Sequence, residues 1–268
     1  MTIHDVKTDN NLSTPVEITG SGEAVIFLHG FLMSPTMWQH SANHLPDGFS
    51  AVVPAQPGHG DADAAPDGFA MDDWVRWLVD ILDATGSEAA HLVGHSMGGL
   101  LALEASVQFP ERVRSLCLIG MHGAPWSEEE RSGFVDFVKA IGGDWSDEIA
   151  QGVAAAMFSP VFTESRPDEI RKWSATVAAS NRAGLLSIAK ALAERPDRST
   201  ELSAIAAPAL VVRGEDDDNI PEESAMTLAE EMQNARYQSM AKVGHCPPIE
   251  RPRRFSALLN KQLNRIVD

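Results

Sequence analysis

Three parts of the chain have the residue types and the order that nucleophilic catalysis requires. Ser96 is the middle residue of the sequence GHSMG, three aspartates follow much later in GEDDDNIP, and His245 comes last in VGHCPP. A serine hydroxyl becomes a nucleophile when a histidine takes its proton and a carboxylate orients that histidine. Serine, then acid, then histidine is one chain order in which such a triad occurs. The pattern therefore predicts acyl-transfer chemistry.

The glycines on either side of Ser96 indicate a tight turn. The apolar run HLV at 91–93 precedes the serine, and a helical pattern begins at Met97. A strand that turns sharply into a helix holds the turn residue in a strained conformation and directs its side chain above the carboxyl end of the sheet. Gly94 and Gly98 leave room for this turn because they lack a Cβ atom. The helix start also offers free N–H groups to a developing oxyanion.

The elements that must position these residues are short buried strands alternating with amphipathic helices. Near-continuous apolar strands are typical of a parallel sheet that is covered on both faces. The predicted strands are AVIFL at 24–28, AVV at 51–53, HLV at 91–93, SLCLI at 115–119 and ALVV at 209–212. Helices are predicted over Met71–Ala84 and Met97–Phe109. This alternation indicates an α/β fold with a mostly parallel sheet flanked by helices.

One long segment interrupts the alternation. Residues from about 122 to 200 have helical patterns and no convincing strand, so we expect a helical insertion. Core packing explains any one of its aromatic side chains, but together they indicate an apolar cap over a pocket. We therefore divide the chain into an α/β core, 1–121 and 201–268, and a cap, 122–200.

Five sequence blocks resemble the α/β-hydrolase superfamily. The blocks LHGF, PGHG, GHSMGG, RGEDDDNIP and GHCPPIERP match recurrent blocks of that superfamily in the right order. The resemblance implies an α/β-hydrolase fold, with Ser96 as nucleophile and His245 as base. The superfamily pattern G-x-x-D-x-x-x-P places the acid at Asp217, with Asp216 and Asp218 as alternatives. Some relatives have the acid after the preceding strand, but that stretch reads IGMHGAPW here and has no carboxylate.

The resemblance also implies the oxyanion-binding groups. The block HGF at 29–31 resembles the loop whose backbone N–H acts together with that of the residue after the nucleophile. Phe31 and Met97 are therefore the expected donors, while His29 is expected to bond within its own loop and His95 to take no part in proton transfer. The chain departs from many relatives in AQPGHGDA, which lacks an aspartate before PGHG. This weakens any assignment to a close subfamily.

The function that these residues predict is a serine hydrolase. We expect it to cleave a carboxylic ester, thioester or lactone of a small, largely apolar substrate through an acyl-enzyme, without a metal or an organic cofactor. Alternatives with the same triad are C–C bond hydrolysis, perhydrolysis and elimination, and a non-catalytic small-ligand receptor is the alternative outside enzymes. The expected pocket residues are Leu32, Met121, His122, Trp126, Phe134 and Phe158.

Composition limits the partners. The 38 acidic against 21 basic side chains give a formal charge of −17, which disfavours nucleic acid and anionic membranes. A small molecule is the expected partner, and the oligomeric state stays open. The N-terminal stretch has no secretory signal and no apolar run could span a membrane, so a cytoplasmic location is expected. His40 and His44 are four residues apart on a probable helix, but no nearby acid supports a metal site.

Overall fold

The computed structural model of the protein describes residues 2–143 and 145–267. Eight strands form a single sheet: β1 Thr2–Lys7, β2 Ser13–Gly20, β3 Glu23–Leu28, β4 Phe49–Pro54, β5 Ala90–His95, β6 Val113–Ile119, β7 Ala209–Gly214 and β8 Ala235–Met240. The strand order is β1-β2-β4-β3-β5-β6-β7-β8. Strand β2 is antiparallel to both of its neighbours, and all other adjacent pairs are parallel.

Helices cover the sheet and also form a separate group between two of its strands. The α-helices are α1 Gln39–Ala42, α2 Met71–Ala84, α3 Met97–Gln108, α4 Glu128–Gly143, α5 Asp147–Met157, α6 Pro160–Ser165, α7 Pro167–Ala178, α8 Arg182–Ala193, α9 Glu222–Glu231, α10 Pro247–Glu250 and α11 Pro252–Val267. Helices α4–α8 lie between β6 and β7. No helix within the described ranges is both long and apolar enough to cross a bilayer.

The predicted fold class is confirmed, and the five predicted strands form the centre of the sheet as β3–β7. These strands are buried along nearly their whole length, which explains their continuous apolar runs. The three strands that were not predicted, β1, β2 and β8, lie toward the edges. Strands β1 and β8 each pair on one side only, and most of their side chains are exposed or half-buried. Their sequences therefore have no apolar run to mark them.

The segment between β6 and β7 is attached to the core by side-chain hydrogen bonds. The Trp173 indole N–H donates to the Leu32 carbonyl at 3.0 Å. From the core side, the Asn219 amide donates to the carbonyl of Ala156 at 2.6 Å. Both core residues lie in loops at the carboxyl ends of strands. The helical character predicted for this segment agrees with the observed helices, while its division into core and cap at 122 and 200 stays a prediction.

The topology brings the chemistry-bearing residues to one edge of the sheet. Ser96 directly follows β5, Asp217 follows β7, and His245 follows β8. Strands β5, β6, β7 and β8 are adjacent and parallel, so their carboxyl ends meet at the same edge. Residues that are far apart in the chain are therefore gathered above the sheet.

A buried hydrogen bond between β2 and α2 provides a test of how this scaffold is stabilised. The Trp77 indole N–H donates to the Thr14 hydroxyl at 2.9 Å, and both side chains are fully buried. Thr14→Val keeps the shape but leaves the indole N–H without an acceptor, so we expect the free energy of unfolding to fall by about 1–3 kcal/mol. Urea denaturation measures this change. The control Thr19→Val, on the same strand but half-buried, is expected to change stability by about 0.5 kcal/mol or less; equal effects would contradict this account.

Candidate active site

Ser96 is held in a strained turn between β5 and α3. Its φ of 48° and ψ of −111° lie in a region that non-glycine residues rarely adopt. Such a conformation costs about 1–3 kcal/mol and persists only when the surrounding structure holds it. Here the Ser96 N–H donates to the carbonyl of Ile119 at 2.7 Å, which ties the turn to the end of β6.

The two glycines beside the turn are required by the close approach of main chains. A Cβ atom on Gly94 would lie 2.3 Å from the carbonyl oxygen of Gly98. A Cβ atom on Gly98 would lie 2.2 Å from the carbonyl oxygen of Leu28, at the end of β3. Neither backbone oxygen has room to move without disturbing a strand or a helix. The start of α3 is therefore packed directly against the ends of β3 and β5.

His245 and Asp217 form a buried hydrogen-bonded pair. The His245 Nδ1–H donates to Asp217 Oδ2 at 2.9 Å. Burial alone would raise the pKa of the Asp217 carboxyl, but attraction to His245 and hydrogen bonds outweigh it, so the pKa lies below its ordinary value. The other oxygen, Oδ1, accepts the backbone N–H groups of Asn219 and Ile220 at 3.0 and 3.3 Å. An ionised Asp217 holds the proton of His245 on Nδ1 and leaves Nε2 as the basic nitrogen.

The structure distinguishes among the three adjacent aspartates that the sequence left open. Asp217 is 1% exposed and bonds to His245. Asp216 and Asp218 are both exposed. The backbone N–H of Asp216 donates to the Val243 carbonyl at 2.8 Å, which aligns this loop with the loop that carries His245.

Ser96 and His245 each contact the chain at the end of β6. A Cβ atom on Gly120 would lie 3.1 Å from His245 Cε1, so the imidazole packs on the residue that follows Ile119. Ile119 in turn accepts the N–H of Ser96. Within 2–143 and 145–267 the Ser96 hydroxyl makes no hydrogen bond.

His95 fixes the main chain of His245. Its Nε2–H donates to the His245 carbonyl at 2.8 Å, and the two ring centroids are 4.8 Å apart. Burial lowers the pKa of His95 to about 3, so the ring is neutral at physiological pH. The His95 Nδ1 atom lies against Gly30, where a Cβ would approach to 2.3 Å. The sequence predicted that His95 takes no part in proton transfer, but it did not predict the hydrogen bond to the His245 carbonyl. The position of His95 beside Ser96 was the only sequence signal for this bond.

The loop that contains Phe31 presents unpaired donors. Among the described residues, neither the Phe31 N–H nor the Met97 N–H donates a hydrogen bond. Leu32, the next residue, has a φ of 58°, and its carbonyl accepts the Trp173 indole N–H. The strained loop is thus held from the side of the helical insertion.

His29 and Gln56 hold the same loop in place by hydrogen bonds. The His29 Nδ1–H donates to the Gly30 carbonyl at 3.0 Å, and His29 Nε2 accepts the Gln56 N–H at 3.1 Å. The Gln56 side-chain amide donates to the His29 carbonyl at 2.6 Å. Burial is the main reason that the pKa of His29 lies well below its ordinary value. Gln56, in the block that departs from many relatives, therefore contributes directly to the position of the predicted oxyanion loop.

Three of the six predicted pocket residues, Trp126, Phe134 and Phe158, lie in two aromatic groups. On one side, the Phe134 ring meets Phe31 and Trp126 edge-to-face, with centroid distances of 5.3 and 5.1 Å. On the other side, Phe158 packs edge-to-face on Trp173 at 5.5 Å. Phe31 thus links the first group to the predicted oxyanion loop.

Of the remaining predicted pocket residues, Leu32 lies in the predicted oxyanion loop, and Met121 and His122 follow β6. Leu32 and Met121 are buried, and His122 is half-buried. Burial lowers the pKa of His122, with a further contribution from Arg195. The Arg195 guanidinium lies 4.3 Å from the ring centroid of Trp126 and donates to the Ala124 carbonyl at 3.1 Å. Whether these side chains contact a substrate stays a prediction.

His40 and His44 do not lie on the same helix. Helix α1 ends at Ala42, and His44 lies beyond it, although the two imidazole rings stack with centroids 4.1 Å apart. The His40 Nδ1 atom bonds to the Ser256 hydroxyl at 3.0 Å. In the part of the chain that the structure describes, no group of three or more His, Cys, Asp or Glu residues is arranged to hold a metal ion.

Comparison with known families agrees with this architecture. The family model for the alpha/beta hydrolase fold matches residues 23–252. The chain belongs to this family. The superfamily resemblance predicted from the five sequence blocks is thereby confirmed.

Two relatives that are similar to this chain over most of its length are hydrolases. The chain is 27% identical over 253 residues to a pimeloyl-[acyl-carrier protein] methyl ester esterase of Aeromonas hydrophila, covering 92% of this chain and 98% of that one. It is 29% identical over 279 residues to a 2-hydroxy-6-oxononadienedioate/2-hydroxy-6-oxononatrienedioate hydrolase of Burkholderia vietnamiensis, covering 98% and 95%. A malate-bound esterase from Thermogutta terrifontis has the same fold, with a TM-score of 0.92, 24% identity and 99% of both chains covered. These similarities confirm the prediction of an enzyme of the hydrolase class.

The close approach at Gly98 predicts that neighbouring glycines of α3 differ sharply in tolerance. Gly98→Ala forces a Cβ against the Leu28 carbonyl, so we expect the free energy of unfolding to fall by about 3 kcal/mol. Gly99→Ala is the matched control, because its nearest contact is the flexible Met121 side chain at 2.8 Å. We expect a smaller loss there. Urea denaturation of both variants measures the difference, and equal losses would mean that the packing against β3 is not the constraint.

Proposed function

We propose that the chain is a serine hydrolase that cleaves a carboxylic ester, thioester or lactone of a small, largely apolar substrate through an acyl-enzyme. The observation that carries the proposal is the buried hydrogen bond between His245 and Asp217 beside the strained turn at Ser96. A base with a fixed tautomer next to a projecting hydroxyl is the arrangement that nucleophilic acyl transfer requires.

In the first half-reaction the Ser96 oxygen attacks the acyl carbonyl carbon. His245 Nε2 takes the hydroxyl proton, and Asp217 stabilises the resulting imidazolium through the Nδ1–H bond. The tetrahedral intermediate collapses when the bond to the leaving group breaks. The imidazolium then returns its proton to the leaving alcohol or thiol, and the acyl group remains on Ser96.

In the second half-reaction water takes the place of the alcohol. His245 Nε2 removes a proton from the water as its oxygen attacks the acyl-enzyme carbonyl. The bond to the Ser96 oxygen breaks, and that oxygen recovers its proton from the imidazolium. The products are a carboxylic acid and free enzyme, so no cofactor is consumed.

The N–H groups of Phe31 and Met97, which have no acceptor within the described residues, are the proposed donors to the oxyanion. Because they are main-chain donors held by a strained loop and by the start of α3, they need not reorganise as negative charge develops. Loss of one such donor typically costs about 3–4 kcal/mol of transition-state stabilisation. Hydrogen bonds from His29, Gln56 and Trp173 hold this loop in position.

An apolar substrate is supported by the side chains near the proposed donors. The rings of Phe31, Phe134 and Trp126 form a continuous edge-to-face series that extends from the oxyanion loop into the insertion. Such a surface favours the hydrocarbon part of an acyl group or alcohol. The esterase among the relatives agrees with ester cleavage.

Hydrolysis of a carbon–carbon bond is the second candidate. It is favoured by the 29% identity to a 2-hydroxy-6-oxononadienedioate/2-hydroxy-6-oxononatrienedioate hydrolase across nearly both whole chains. A panel of p-nitrophenyl esters, thioesters and lactones, assayed beside 2-hydroxy-6-oxo-dienoic acids, distinguishes the two reactions. Turnover of the dienoic acids that exceeds turnover of every ester would favour the second candidate.

The role of the nucleophile is tested at Ser96. We expect Ser96→Ala to lower kcat for p-nitrophenyl acetate or butyrate by about 10⁶-fold, because no oxygen remains to form the acyl-enzyme. Intact-mass analysis after fluorophosphonate treatment should show one adduct in the unmodified protein and none in the variant. Ser132→Ala, an exposed serine of α4, is the control and should keep full activity. An unchanged rate in Ser96→Ala would overturn the proposal.

The choice of acid is tested by comparing Asp217 with Asp218. Asp217→Asn keeps the shape but removes the charge and favours the wrong tautomer of His245, so we expect kcat to fall by about 10⁴-fold. Asp218→Asn changes an exposed side chain and should alter kcat less than about twofold. Steady-state kinetics on the same ester measures both. The reverse ranking would transfer the role to the neighbouring acid.

A further inference from the structure

The Glu250 carboxylate accepts hydrogen bonds from the two residues on either side of His245, the proposed base. Glu250 is 3% exposed. Its Oε1 atom accepts the Gly244 N–H at 2.9 Å and the Cys246 N–H at 3.3 Å. Because His245 stands between these two residues, one carboxylate holds the main chain on both sides of the base.

The second oxygen of Glu250 bonds to the helical insertion. Oε2 accepts the Ser159 hydroxyl at 2.6 Å and the Ser159 N–H at 3.1 Å. It also accepts the Gly244 N–H at 3.1 Å. The partners that bond to this carboxylate are N–H and O–H donors, which is the environment of an ionised carboxylate.

Ser159 is itself a fixed point of the insertion. It is fully buried, and its side-chain oxygen caps the start of α6 by accepting the Phe162 N–H at 3.3 Å. The main chains also meet there, because a Cβ atom on Gly244 would lie 2.5 Å from the Ser159 nitrogen. The insertion therefore rests directly on the loop that carries His245, with no side chain between them.

We propose that Glu250 is a positioning residue that couples Ser159 of the insertion to the main chain of the base, His245. The inference rests on the proposed function. The base is held from two directions: Glu250 binds the N–H groups on either side of it, and His95 donates to its carbonyl. A displacement of α6 moves Ser159, withdraws a short hydrogen bond from Glu250, and loosens the loop that aims the imidazole. The coupling acts on the chemical step more than on substrate binding.

The test compares two serines that have the same local role. Ser146 caps α5 as Ser159 caps α6, and each side chain accepts an N–H at 3.3 Å. Replacing either by Ala removes a helix cap, but only Ser159→Ala also removes the hydroxyl hydrogen bond to Glu250. We expect Ser159→Ala to lower kcat and the rate of fluorophosphonate labelling at Ser96 by about 10-fold or more, with KM changed less than twofold. Ser146→Ala should leave all three within twofold.

A second variant separates the charge of Glu250 from its shape. Glu250→Gln keeps the size but removes the negative charge and places an NH₂ group against the N–H donors. We expect a larger fall in kcat than in Ser159→Ala. Steady-state kinetics and the rate of fluorophosphonate labelling at Ser96 measure this difference.

The outcomes distinguish this inference from the proposed function. If fluorophosphonate fails to label Ser96 in the unmodified protein, the proposed function is wrong, and the coupling to its base is wrong with it. If Ser96 is labelled but Ser159→Ala and Ser146→Ala behave alike, the coupling is wrong and the proposed function stands. A loss confined to KM in Ser159→Ala would likewise overturn the coupling. Circular dichroism confirms folding of each variant, and if Glu250→Gln does not fold, the serine pair still decides.

Discussion

The close packing of the start of α3 against the ends of β3 and β5 is the constraint on which the rest of the site depends. Gly98 lies so close to the Leu28 carbonyl that even a methyl group has no space. The chain must therefore reverse within very few residues, and Ser96 takes the positive φ that this reversal demands. Among the described residues, the same helix start leaves the Met97 N–H without a hydrogen-bond acceptor.

Near this turn, two buried carboxylates accept hydrogen bonds mainly from main-chain N–H groups. Asp217 accepts from His245 and from two backbone amides, and Glu250 accepts from the amides on both sides of His245. Burying a charge is costly unless hydrogen bonds replace its hydration. In the proposed mechanism the charge of Asp217 then stabilises the imidazolium form of His245.

The insertion contacts each of the three loops that the proposed mechanism uses. Trp173 donates a hydrogen bond to the proposed oxyanion loop, and Ala156 accepts one from the loop of the proposed acid. Ser159 donates to Glu250, which holds the loop of the proposed base. These contacts lie within a short stretch of the insertion that includes α6 and α7. The insertion, which carries part of the proposed apolar surface, is therefore hydrogen-bonded to the groups that hold the proposed catalytic loops.

From local pattern alone, the amino-acid sequence determined the central strands, helices α2 and α3, and the turn at Ser96, because buried apolar runs and paired glycines mark these features directly. It left the edge strands β1 and β8 unseen, since exposed strands have no such run. Tertiary structure alone decided that Asp217 is buried against His245 while its neighbours are exposed. It alone joined Glu250 to Ser159, and His95 to the His245 carbonyl, because contacts between residues so distant in the chain arise only when the whole sheet brings its loops together.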